Sequence, residues 1–298
     1  MIAKTLALRG VSRLAAGHIR LRRVPIVVII AGLSLVGLLL VAVFADRIAP
    51  HDPIKSDLGR RLVPPAWEAG GDPANLLGTD ALGRDVLSRI IHGSRASLVV
   101  GFVAVAIGGT LGSLLGLLAG YAGRYIDEAI MMLVDIQLAF PFVLLAIAII
   151  AVLGPSFLNL IIVVGISGWA TYARVCRAQV LSLKEKEFIE AIRALGGTPA
   201  RILFRHILPN VLSPLIVIAT LDLARTIILE STLSFLGLGV QPPTPSWGTM
   251  LGEGREYLNT AWWIATFAGL ALMLTTLSIN RIGDWTRDVL DPTLRGSV

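Results

Sequence analysis

Hydrophobic residues in this chain gather into long unbroken runs instead of alternating with polar ones. Six runs stand out, at about 25–45, 97–120, 129–153, 158–178, 211–231 and 261–281. Each lasts about 20 residues, enough for a helix to cross about 30 Å of bilayer hydrocarbon. A closed β-barrel would need shorter segments in which apolar and polar positions alternate. The pattern predicts an all-α integral membrane protein, a single bundle of six transmembrane helices without a soluble domain.

The segments between the runs carry their own periodicities. In the loop 46–96, "VPPAWEAGGDP" predicts irregular structure, whereas "GRDVLSRIIHGSRASL" has apolar positions at helical spacing and predicts an amphipathic helix leading into the second span. Between the fourth and fifth spans, "KEKEFIEAIRALGG" places Phe188, Ile192 and Leu195 at i, i+4 and i+7, with Lys186, Glu190 and Arg193 on another face. Gly196-Gly197 supplies the permissive backbone that ends this helix. Thr198 suits the cap of a second helix, Pro199 its first turn, and Pro209 marks the start of the fifth span. Residues 179–210 thus read as helix, glycine turn and helix across one mouth of the bundle.

Composition agrees with a membrane protein: 55% of residues are hydrophobic, 15% are charged, and the mean hydropathy is +0.77. A net charge of +6 could signal nucleic acid, but in so apolar a chain it reflects basic loops on the cytoplasmic side. The tail 1–24 carries Lys4, Arg9, Arg13, Arg20, Arg22 and Arg23 without an acidic residue, which predicts a cytoplasmic N-terminus. Six crossings return the C-terminal tail 282–298 to the same side, and the basic loop 179–210 falls there too. Loops 46–96 and 232–260 then lie outside. The first span could be a cleaved signal peptide ending near Val43-Phe44-Ala45. Its apolar region exceeds the 7–15 residues usual for such signals, so 25–45 reads as a retained anchor ahead of a five-helix core, 97–281. The single cysteine, Cys176, excludes an internal disulfide and reads as a packing residue, not a thiolate beside Arg174 and Arg177.

Three readings compete for the hairpin: a DNA-binding helix-turn-helix, a solvated connector, and a lever docking in another protein's groove. Direct connection to membrane spans at both ends leaves little reach toward a duplex, and the lever is favoured. Within the spans, ionisable residues require a partner or a role. Asp135, Phe140, the Asp222/Arg225 pair and Glu230 are the pathway or gate candidates, Glu230 being placed near the outer surface. Phe140-Pro141 predicts a local kink in the third span. The row Gly108, Gly112, Gly116 and Gly120 predicts close helix packing. In the outer loop "GVQPPTPSWG", Pro242, Pro243 and Trp247 are candidates for docking a binding protein, with a bilayer-edge loop as the alternative. "GISG" places Ser167 in an intramembrane protease pattern, but the histidines all lie in loops or at span ends, and packing is the better reading. A secondary transporter is the stronger rival, although the spans show no clear internal duplication.

The hairpin resembles a known family. Glu190-Ala191, Gly196 and, after the expected interval, Leu208-Pro209 are similar to the "EAA" loop of permease subunits of ATP-binding-cassette (ABC) importers, with Ile192 and His206 departing from that pattern. "LGTDALGRDVLSRIIHGSRASL", "LSFLGLGVQPPTPSWGTML" and "GDWTRDVLDP" resemble the shorter permease of the dipeptide/oligopeptide/nickel group. The resemblance implies a type I importer permease of a bacterial or archaeal plasma membrane. ATPase coupling would then fall to Phe188, Glu190, Ala191, Arg193, Leu195, Gly196, Gly197 and Pro209. It also implies a paralogous permease, two ATPase subunits holding ATP and Mg, and an extracytoplasmic solute-binding protein. The chain itself has no G-x-x-x-x-G-K-[ST] phosphate loop and no lysine following a glycine, so it is expected to bind no cofactor and to hydrolyse no ATP.

Overall fold

The computed structural model describes residues 24–290; the basic tail up to Arg23 and the last residues of the C-terminal tail lie outside that range. The regular structure among the described residues is helical, with one isolated antiparallel bridge, Thr79 to Asp85, in the long loop. Nine principal helices follow in order: α1 Ile26–Val43, α2 Val86–Ala122, α3 Arg124–Ala139, α4 Phe142–Leu153, α5 Phe157–Lys184, α6 Glu187–Ala194, α7 Pro199–Phe235, α8 Trp247–Gly254 and α9 Trp263–Leu290. Five of these are long and apolar enough to span a membrane, and α3 with α4 makes a sixth, broken span.

The bundle has two distinct ends. At the hairpin end lie α6 and the glycine turn; at the loop end lie the segment before α2 and the segment around α8. Asp85 starts α2, accepting a hydrogen bond from the Ser88 backbone N–H at 2.8 Å. The helix then continues without interruption, so the predicted amphipathic lead-in and the second span are one element. At its start Arg95 donates to the Ala42 and Val43 carbonyls of α1 and to Asp46, fastening the first helix to the second. The Arg95 guanidinium, with help from His92, holds the Asp46 carboxyl below the usual carboxylate range.

The main seam is α2 against α5. Gly108, Gly112, Gly116 and Gly120 are buried, and a Cβ on Gly112 would lie 2.2 Å from the Trp169 carbonyl oxygen. Only a row of this kind lets two backbones approach so closely, confirming the packing expectation. Cys176 is buried in the same seam, its Sγ 3.3 Å from the Ser113 carbonyl, in keeping with a packing residue.

Besides α2, which already starts at Val86, and α9, which runs on to Leu290 and takes in the first part of the tail expected from 282, span boundaries differ from the apolar runs in three places. The third run does not form one kinked helix: α3 and α4 meet at 92°. Pro141 lacks an N–H, and steric conflict with its ring drives Phe140 to an extended conformation, φ −94° and ψ 137°, so the helix stops and restarts. The fourth span runs on to Lys184, because Arg177 pairs with Asp127 of α3 and Lys184 reaches the Gly120 carbonyl, carrying the charges across helix ends. The fifth begins at Pro199, not near 211. Pro209 cannot donate to the preceding turn, and Ile202–Ile207 widen into a π-helical turn in which Leu208 N–H reaches the Leu203 carbonyl, so the helix passes the proline unbroken.

Candidate functional site

The hairpin is held to the bundle by one face. Ile189 of α6 is fully buried in a cluster with Ile202 and Ile207 of α7 and Val180 of α5, and Ile192 packs at its edge. The opposite side is free: Phe188 is 44% and Leu195 88% exposed, with Glu190, Ala191 and Arg193 exposed between them. The sequence pattern had grouped Phe188, Ile192 and Leu195 as one apolar stripe. In the structure the anchoring stripe is Ile189 and Ile192, spaced i and i+3, and the other two apolar residues project away from this chain. Ile189 was legible as part of an alternative stripe in the same eight residues.

The turn is built as its composition demands. Leu195 N–H bonds to the Ala191 carbonyl, Gly196 N–H to Arg193 and Gly197 N–H to Ile192. Gly196 has φ +82°, where a side chain would cost about 1–2 kcal/mol, and a Cβ on Gly197 would lie 2.6 Å from the Ile192 side chain. Thr198 accepts from the Arg201 N–H at 3.4 Å and caps α7, with Pro199 in its first turn. Pro209 is exposed ten residues further along the same helix. A load applied at Leu195 therefore meets a tight turn and then a helix of 37 residues running to the far end of the bundle.

The span candidates fall in different surroundings. Asp135 of α3 pairs with Arg174 of α5 at 2.5 Å, both side chains more than half exposed. Asp222 and Arg225 of α7 are 3.4 Å apart; the carboxylate is largely buried beside Gly168 and the guanidinium is 54% exposed. Phe140 is 61% exposed at the α3–α4 break. Glu230 lies at the loop end, as its position along the helix predicted, but not at a surface: it has no exposure and accepts hydrogen bonds from Ser231 and Ser234 at 3.2 and 2.8 Å. Its carboxyl is sealed within this chain, because neighbouring serines substitute for water around it.

Pro242 and Pro243 are exposed, but Trp247 is not available for docking. Its side chain is fully buried and its Nε1 donates to the Ile90 carbonyl at 3.1 Å, since α8 folds back onto the start of α2. Ser167 is buried and donates to the Val164 carbonyl at 2.6 Å, a helix-packing hydroxyl. Among the described residues, no cluster of histidine, cysteine or acidic side chains fits a metal ion.

A charged knot at the loop end was not foreseen. Arg84 and Arg89 both contact Asp80 and both reach Glu253 of α8, with Asp80 and the two arginines almost wholly buried. Asp80 and Arg84 are four residues apart and could have been paired from the sequence; Glu253, more than 160 residues away, could not.

These features define a multi-span helical membrane protein with a helix-borne hairpin exposed along one face and no catalytic constellation among its described residues. Residues 112–296 match the family described as "Binding-protein-dependent transport system inner membrane component". A di/tripeptide transport system permease protein of Pseudomonas aeruginosa is 46% identical over 256 residues, covering 86% of this chain and 84% of that protein. The dipeptide transport system permease protein of Escherichia coli K12 is 44% identical, with 86% of each chain covered. A glutathione transport system permease protein of Pectobacterium atrosepticum is 41% identical, with 90% and 88% covered. In fold, the chain is similar to a subunit of the MetNI methionine ABC transporter in inward-facing conformations, with TM-score 0.54 and 23% identity over 68% of this chain and 97% of that one. The chain belongs to the family of inner-membrane components of binding-protein-dependent transport systems. It is the non-catalytic, multi-pass permease subunit of an ABC importer, a class that operates with ATPase and solute-binding partners.

Proposed function

We propose that this permease carries di- or oligopeptides, and that it works in a complex with a paralogous permease, two ATPase subunits that hold ATP and Mg, and an extracytoplasmic binding protein. The names of its relatives support the solute class, two of those quoted above being peptide permeases and one a glutathione permease. The hairpin end faces the cytoplasm in this reading, together with both termini, as the basic residues of the tail and of the hairpin favour.

The observation that carries the coupling role is the division of α6 into two faces. Ile189 locks the hairpin to α5 and α7, while Phe188, Ala191 and Leu195 present small and apolar surface outward beside Glu190 and Arg193. An amphipathic helix so exposed suits a groove on a partner. Motion of an ATPase would be delivered through Gly196-Gly197 into α7, which carries Asp222 and Arg225. The charges exposed on the spans, Asp135 and Arg225 among them, belong on protein-facing or water-facing surfaces, where a half-pathway meets its paralogue.

Co-purification tests this directly. Tagged permease with Leu195→Asp should lose its ATPase subunits while keeping the paralogous permease; retention of both at wild-type level would remove the hairpin from the coupling role. Transport of peptides and of nickel complexes by the reconstituted system, each with its own binding protein, would decide the solute.

A further inference from the structure

An aromatic patch sits where the long loop meets the last span. Trp67, 61% exposed, stands edge-on to Phe267 of α9 with ring centroids 6.0 Å apart, and Trp262 lies 5.6 Å from the same ring. Phe267 is four residues into α9, about 6 Å along its axis. Trp67 therefore does not stand above the bundle; it lies alongside the first turn of a membrane-crossing helix.

The loop is fastened there. Trp262 Nε1 donates to the Glu68 carboxylate at 3.1 Å, and Trp263 Nε1 donates to the Thr79 carbonyl at 3.0 Å. Ala66 N–H bonds to the Leu76 carbonyl, placing Leu76, 53% exposed, across from Trp67's neighbour. Below the patch, Thr266, Leu270, Met273 and Leu277 continue from Trp262 down one exposed face of α9 without a charged residue. The exposed faces of α3, α5 and α7 differ, because they carry Asp135, Arg174 and Arg225. A stripe without charge over this length, apolar from Leu270 onward, suits lipid chains, and amphipathic indole rings at its end suit the headgroup layer.

We infer that the loop from Pro64 to Leu76 is a membrane foot: Trp67 and Leu76 rest in the headgroup and glycerol layer of the leaflet at the loop end, continuous with the lipid-facing stripe of α9. The foot sets the height of the loop above the bilayer and, through Thr79 and the neighbouring Asp80, the position of the charged knot that holds α8.

Quenching decides between lipid and other occupants. Trp67→Cys and Leu76→Cys, each in a Cys176→Ala background, are labelled with an environment-sensitive fluorophore in the whole importer complex, reconstituted in phosphatidylcholine/phosphatidylglycerol nanodiscs. Lipids bearing a nitroxide near the glycerol should quench both labels severalfold more than a water-soluble nickel chelate does, with no change when saturating binding protein is added. Dominant quenching by the chelate would overturn the inference, as would shielding from both quenchers that appears only with the binding protein, which would make the patch a protein-docking surface. The Leu76 label carries the test if the Trp67 variant does not assemble.

Discussion

Leu195 is the most informative single residue because its two possible roles predict opposite results. A side chain 88% exposed contributes little to folding, so Leu195→Asp should change stability by no more than about 0.5 kcal/mol. If the hairpin docks, the same change should weaken ATPase association at least about tenfold, equivalent to about 1.4 kcal/mol, measured by titrating ATPase onto immobilised permease. Ile189 should behave in reverse: Ile189→Ala removes a buried anchor and should cost about 2–5 kcal/mol of local stability, read as faster hydrogen exchange across α6. At the seam, Gly112→Leu drives a side chain into the Trp169 carbonyl and should abolish accumulation of folded permease, followed as the monodisperse fraction in detergent. Trp247 shows where residue-level reading went astray. An indole in a proline-rich loop suits an interface on composition alone, and only the return of α8 onto α2 explains its burial.

At the scale of elements, the apolar runs located every span, yet the helices outrun them at the ends. Hydropathy senses where hydrocarbon must be matched; it does not sense Arg177 and Lys184 satisfying their charges on α3 and α2, which lets α5 continue into polar surroundings. Proline shows the same limit. Pro141 and Pro209 lack the same donor, but one stops a helix and the other is absorbed by a π-helical turn. Context decides, and α7 has Ile202 and Ile207 buried against α5 and α6 to hold it together through the weakened turn. The knot of Asp80, Arg84, Arg89 and Glu253 belongs to this scale as well. Truncating Arg89 leaves Asp80 and Glu253 to share Arg84 alone, so Arg89→Ala should cost about 1–3 kcal/mol and loosen α8. A double-mutant cycle with Glu253→Ala checks this: strong coupling supports the clasp, and additive losses would remove it.

For the molecule as a whole, the number of spans, the hairpin and the glycine seam were legible because each rests on local periodicity. What was not legible is which faces turn inward within one chain and which remain open. Glu230 and Arg225 lie five residues apart on α7, yet one is sealed among serines and the other is more than half exposed. Taken together, the open surfaces describe half of a device: a hairpin with one exposed face at one end, exposed charges midway along the spans, and a loop clasped to α8 at the other. The central claim is that force enters at the hairpin and travels through a stiff turn into α7. Inserting a flexible Gly-Ser tether of four residues between Gly197 and Thr198, which leaves Leu195 in place, and measuring solute transported per ATP hydrolysed in proteoliposomes, tests it most directly. The account predicts that hydrolysis persists while transport per ATP collapses; an unchanged ratio would contradict it.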